Sequence, residues 1–134
     1  MADGDPAPSD SEVVSTYWTQ HRLSSSETSA DRLQADGHFW AWMHVDRLVT
    51  EDPDAALQLT LLLADAAPDD AALAYLGAGP IEDLLVHHAT PTMVDRICGW
   101  AGRNERFCVA VRSAWLTRVD EGTAERISKL GRRR

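Results

Sequence analysis

Asp83 and His87 stand four residues apart in the segment Ile81 to His88. If that segment is helical, the two side chains share one face. A carboxylate beside an imidazole is the arrangement of an oriented general base, or of half a metal site. Neither is complete. His88 is rotated about 100° from His87 around a helix. A zinc site would need two further ligands, and the obvious donors, His38 and His44, lie six residues apart on different faces of their own helix. A histidine pair near a helix C-terminus, where positive charge is favoured, explains His87 and His88 without chemistry. Asp83 and His87 remain the catalytic candidates, and no metal or cofactor is expected.

Gly77-Ala78-Gly79-Pro80 precedes that segment. Glycines ahead of a helix can cradle a phosphate, because free N–H groups and the helix dipole both favour an anion. Here Pro80 removes a donor, Glu82 and Asp83 place two negative charges in the first turn, and no P-loop lysine follows. A structural corner is the better reading, with Gly77 ending a helix in a left-handed conformation and Gly79 allowing two backbones to approach. Nucleophile motifs are absent from the sequence. Ser24-Ser25-Ser26 has no local base, and Cys98 and Cys108, ten residues apart, match neither a redox motif nor a zinc half-site. Both read as free, partly buried thiols.

The elements that must hold these residues are all helical. Ser9 with Glu12 has capping-box spacing for a helix over about residues 10–22. A serine-rich linker leads to a second helix over about 29–50, with Asp36-Gly37 as a possible break. Asp52-Pro53 and Thr90-Pro91 each pair a cap with a proline at the first helical position, opening helices over about 53–66 and 91–102. Leu57, Leu59, Leu61, Leu62 and Leu63 make the first of these apolar on nearly every side, as in a helix surrounded by others. Asp69-Asp70 caps a short helix over about 70–76, Asn104 one over about 105–117, and Asp120 the last, with a Glu125–Lys129 pair outside and Gly131 as stop. Phe107, Val111, Ala114 and Trp115 should share one face of the 105–117 helix. Sustained two-residue alternation is missing throughout. The expected fold is all-α, a compact bundle of about six or seven short helices, with helical-hairpin (HEAT-like) stacking as one arrangement. Its organisation reads as a leader over 1–8, an N-terminal helix and linker over 9–28, one helical domain over 29–131, and a basic tail over 132–134.

Several of these pieces also occur together and in order. Trp40-Ala41-Trp42, Glu51-Asp52-Pro53 with Ala56, and Ala67-Pro68-Asp69-Asp70 come first. Leu73-Ala74-Tyr75-Leu76-Gly77-Ala78-Gly79-Pro80-Ile81-Glu82-Asp83-Leu84-Leu85 follows, then Arg106-Phe107 and Trp115. In this the span from Phe39 to about Leu116 resembles a bacterial family of domains of unknown function with a GAGPxEDLL core motif. The chain departs from that pattern at Ile81, where leucine is expected, and at Arg103-Asn104-Glu105, where an acid–proline step is expected. The resemblance implies a small helical domain and carries no activity or catalytic residue with it.

At 134 residues, with 44% hydrophobic and 25% charged residues, the chain can bury a core without disulfides. The longest apolar run, Ala55 to Ala67, is broken by Gln58, Thr60 and Asp65 and falls short of the roughly 18 residues a membrane span requires. The acidic start lacks the basic and apolar regions of a signal peptide, so a cytoplasmic protein is expected. The net charge of −8 is unevenly spread, with −13 on residues 1–90 and +5 on residues 91–134. Nucleic acid is a poor partner for the acidic portion, and Arg132, Arg133 and Arg134 read as a solvated tail. Phe39 and Trp42 should be core, with Trp40 left half-covered over the polar side or free to anchor a partner. The leading function is therefore a non-enzymatic, immunity- or adaptor-like module that offers an acidic helical surface to a basic protein. Its binding residues would be Trp40, Asp69, Asp70 and Glu82, with Glu51, Asp52 and Asp54 adding charge. The alternative is a small enzyme or metal-dependent protein using Asp83 and His87.

Overall fold

Ser9, Thr28, Asp52, Asp69, Thr90, Asn104 and Asp120 each accept a hydrogen bond through the side chain from the N–H three residues on, and each opens a helix. Such caps satisfy donors that have no partner inside the helix. The structure, a computed structural model, describes residues 8–130. Its helices are α1 (Asp10–Ser24), α2 (Ser29–Asp36), α3 (Phe39–Glu51), α4 (Pro53–Asp65), α5 (Asp70–Leu76), α6 (Glu82–His87), α7 (Pro91–Ala101), α8 (Glu105–Arg112) and α9 (Glu121–Ser128). Strands are absent among the described residues, and the fold is all-α. The acidic leader up to Ala7, the Gly131 stop and the Arg132–Arg134 tail lie outside the described residues.

The chain divides into two compact units, Met1–His44 and Val45–Arg134, with the boundary inside α3. In the first unit α1 packs against α2. Val13, Tyr17, Trp18 and Leu23 are buried on α1, and the Tyr17 and Trp18 rings meet edge-on at 5.0 Å. Residues 29–50 form two helices. Gly37 and His38 donate to Gln34 and Ala35, three residues back, and this tightened turn separates α2 from α3.

In the second unit the organising element is α8. It packs against α4, α5, the turn after α5, α7 and α9. Phe107, Ala110 and Val111 on α8 are fully buried, as are Leu57 and Leu63 on α4, Leu73 and Leu76 on α5, and Ile97 on α7. Each large side chain removed from water in this way contributes roughly 1.5–3 kcal/mol. The leucine-rich α4 is mostly buried, but it is not enclosed all round. Gln58 and Leu62 lie on an outward strip, and Leu62 is 44% exposed.

The glycine-rich corner is the principal departure from expectation. Gly77–Ile81 is a π-helical segment that joins α5 to α6 without a break. Gly77 is right-handed (φ −65°, ψ −42°), so it ends nothing. The Glu82 N–H donates to the carbonyl of Gly77, five residues back, and this wider winding takes in Pro80, which has no N–H to offer. The close approach belongs to Gly77 rather than Gly79. A Cβ on Gly77 would run into the Ala110 carbonyl and come within 2.9 Å of the Ser113 Cβ, whereas one on Gly79 would meet nothing within 4 Å.

Candidate functional site

α6 is short and begins directly from the π-helical segment, so Glu82 and Asp83 fall in its first turn and His87 in its last. Asp83 is half-buried and His87 is exposed. Burial is the main cause that pushes the Asp83 carboxyl above its ordinary value of 3.8, and the nearby Asp46 carboxylate on α3 is the second. Glu82 adds to the rise, while His87 and Arg118 oppose it. His87 therefore does act on Asp83, as their spacing requires. Among the described residues, though, no hydrogen bond joins them to orient the imidazole as a base. Neither does any group of three or more His, Cys, Asp and Glu side chains gather so as to hold a metal ion among the described residues. His38 is engaged through Nδ1 with the Gln34 carbonyl at 3.1 Å.

Glu82 has a definite partner. Its Oε1 accepts a hydrogen bond from the Trp115 N–H at 3.0 Å, joining residues 33 apart in sequence. This link follows from α8 stopping at Arg112 rather than near residue 117. Trp115 is thereby turned away from the face that buries Phe107, Val111 and Ala114, and it is 69% exposed. The shared face expected to include Trp115 does not reach it, because a helical face ends where the helix does.

The remaining candidates separate by role. Asp69 caps α5, accepting from the Ala72 N–H at 2.8 Å, while Asp70 next to it is exposed in the first turn. Trp40 is 37% exposed, as a half-covered ring should be. Phe39 was expected in the core and is 41% exposed instead, stacked on Trp42 at 5.2 Å with 11° between the planes. Trp42 is itself only half-buried. The two rings cover each other, and that pairing takes the place of a core position. Cys98 and Cys108 are free and half-buried, and burial pushes the Cys98 thiol up.

Residues 28–134 match the family of unknown function DUF6869. The chain belongs to that family. The match opens at Thr28, the cap of α2, and takes in α2 to α9, so α1 and its linker precede it. No curated protein and no solved structure matches the chain.

Two contacts had no signal in the sequence. Asp46 acts on Asp83 across 37 positions, and no local pattern pairs them. Arg106 donates through Nε to the Ala64 carbonyl at 3.0 Å and through its terminal nitrogen to the Ala67 carbonyl, closing the end of α4. Arg106-Phe107 stood out only as part of the family-like pattern. Its spacing alone does not reveal which carbonyls the guanidinium reaches.

Proposed function

We propose that this chain is a binding module without chemistry of its own, immunity- or adaptor-like, that offers an acidic helical surface to a basic protein partner. One observation carries the reading: among the described residues, the carboxylates clustered at the helix starts are exposed and mostly outside ion pairs. Glu51, Asp52, Asp54, Asp69 and Asp70 all face solvent. Among the described residues only Asp54 of these five is ion-paired, with Arg96 at 2.5 Å. The other ion pairs among the described residues, Arg126–Asp95 and Lys129–Glu125, lie wholly within the basic portion. Uncompensated carboxylates on rigid helix ends speed association with a basic surface and select against an acidic one.

Immobilised full chain, challenged with lysate of its native host at low and high salt, tests this reading. A complex that forms at low salt, weakens at high salt and is reduced by Asp70→Lys or Trp40→Ala supports it. Capture that ignores both salt and Asp70→Lys overturns it. Asp69 is a poor probe, because its carboxylate also holds the start of α5.

A further inference from the structure

Among the exposed apolar side chains of the second unit, Trp115 is set apart by how it is held. Its backbone N–H is tied to Glu82. Just before it, Gly77 brings the π-helical segment against Ala110 and Ser113. Residues 110–115 therefore run along the shoulder where the π-helical segment passes into α6. An indole on a backbone already fixed gives up little conformational freedom when it meets a partner. At the same shoulder Gly79 leaves open space, with nothing within 4 Å of where a Cβ would stand. Glu82 lies against the backbone of Trp115, and Asp83 follows one residue on, where Asp46 acts on it with the same sign and His87 and Arg118 with the opposite one.

Resting on the reading of a basic partner, we propose that Trp115, with Glu82 and Asp83, is the seat for an arginine side chain on a protein segment. The guanidinium packs on the indole face, and its N–H groups are directed to the carboxylates. Charge complementarity chooses this occupant. An aromatic face and carboxylates together suit a cation, and a planar guanidinium can both stack and donate in a fork. A nucleic acid would be repelled here, and a second copy of the chain brings its own net charge of −8.

The test uses the full chain and two fluorescein-labelled peptides of alternating residues, Arg-Ala and Lys-Ala, read by anisotropy at about 20 mM salt, where screening is weak. The arginine peptide binds more tightly. Trp115→Ala reduces its affinity by about tenfold, as truncating a central aromatic anchor does, while Trp115→Phe retains most of it. Asp83→Asn weakens binding without touching the ring. Since Trp115 is exposed, Trp115→Ala should unfold at the same temperature as the parent chain. Unchanged affinity in both Trp115→Ala and Asp83→Asn overturns the seat. If Asp70→Lys abolishes binding in that case, the basic-partner reading survives elsewhere on the surface. If neither peptide binds the parent chain, that reading fails as well. A change of oligomeric state in Trp115→Ala, seen by sedimentation, would assign the ring to a second copy and likewise overturn the proposal.

Discussion

Gly77 and Ala110 touch backbone to backbone: a single methyl group on Gly77 would occupy the space of the Ala110 carbonyl. The only relief is to push α8 away from the π-helical segment, and α8 is the element on which the second unit packs. Gly77→Ala should therefore cost about 2–3 kcal/mol, as overpacking against an unyielding neighbour does. Gly79→Ala has open space and should gain up to about 1 kcal/mol from the restricted unfolded chain. Urea midpoints of the two variants give the comparison. Equal midpoints would mean that the two helical segments are not in contact at Gly77.

How far this was legible in the sequence depends on whether the cause is local. Asp52, Asp69, Thr90, Asn104 and Asp120 cap helices where they were expected to, because a cap is decided within four residues. The Glu125–Lys129 pair, at 3.0 Å, is equally local. The close approach expected at Gly79 falls to Gly77, because it depends on a partner 33 positions away, and Gly77 is right-handed rather than a left-handed helix end. Trp115 was misplaced for a related reason: nothing near Arg112 announces the end of α8, and its N–H is satisfied by a distant Glu82 instead. In the candidate site the Asp83–His87 spacing was readable, whereas the repulsion from Asp46 was not.

Arg106 should be worth more than an exposed arginine usually is. It holds the Ala64 and Ala67 carbonyls together at the negative end of α4, where a cation is doubly favoured. Replacing it with methionine keeps the stem and removes both hydrogen bonds, at an expected cost of about 1–2 kcal/mol. Arg106→Lys should recover only part of this, since one ammonium cannot match a planar fork. Thermal unfolding of the three proteins measures it. A lysine variant as stable as the parent would show that charge alone matters at this position.

The two shifted aspartates should act on stability in opposite directions. Asp83 is raised above 3.8 in the folded chain, so folding favours its protonated form. Its penalty is fully present above the folded value and fades as pH falls towards the unfolded one. Asp83→Asn should therefore raise the unfolding temperature at pH 7 and have no such advantage near pH 3. Asp120 is lowered, chiefly by the Thr123 N–H and then by the Thr123 hydroxyl at 2.7 Å. Its contribution is complete above the unfolded value and is lost as pH falls through the folded one. Asp120→Asn should flatten the acid limb of the stability curve. Unfolding temperatures across pH 2–8 distinguish these outcomes, and a parallel shift of both variants would contradict the opposite signs.

Asp69 and Asp70 are neighbours with the same charge and different work. The Asp69 carboxylate receives the Ala72 N–H, so Asp69→Ala should cost about 1 kcal/mol, and Asp69→Asn, which keeps an acceptor, much less. Asp70 makes no such bond and contributes only through the helix dipole, a few tenths of a kcal/mol. Asp70→Ala should therefore unfold almost where the parent does. The same difference governs any binding measurement. A loss on Asp70→Lys with an unchanged unfolding temperature reports the surface, because the start of α5 is intact. A loss confined to Asp69→Ala, and restored in Asp69→Asn, reports the cap. Measuring both pairs in one salt series separates charge from fold at this helix end.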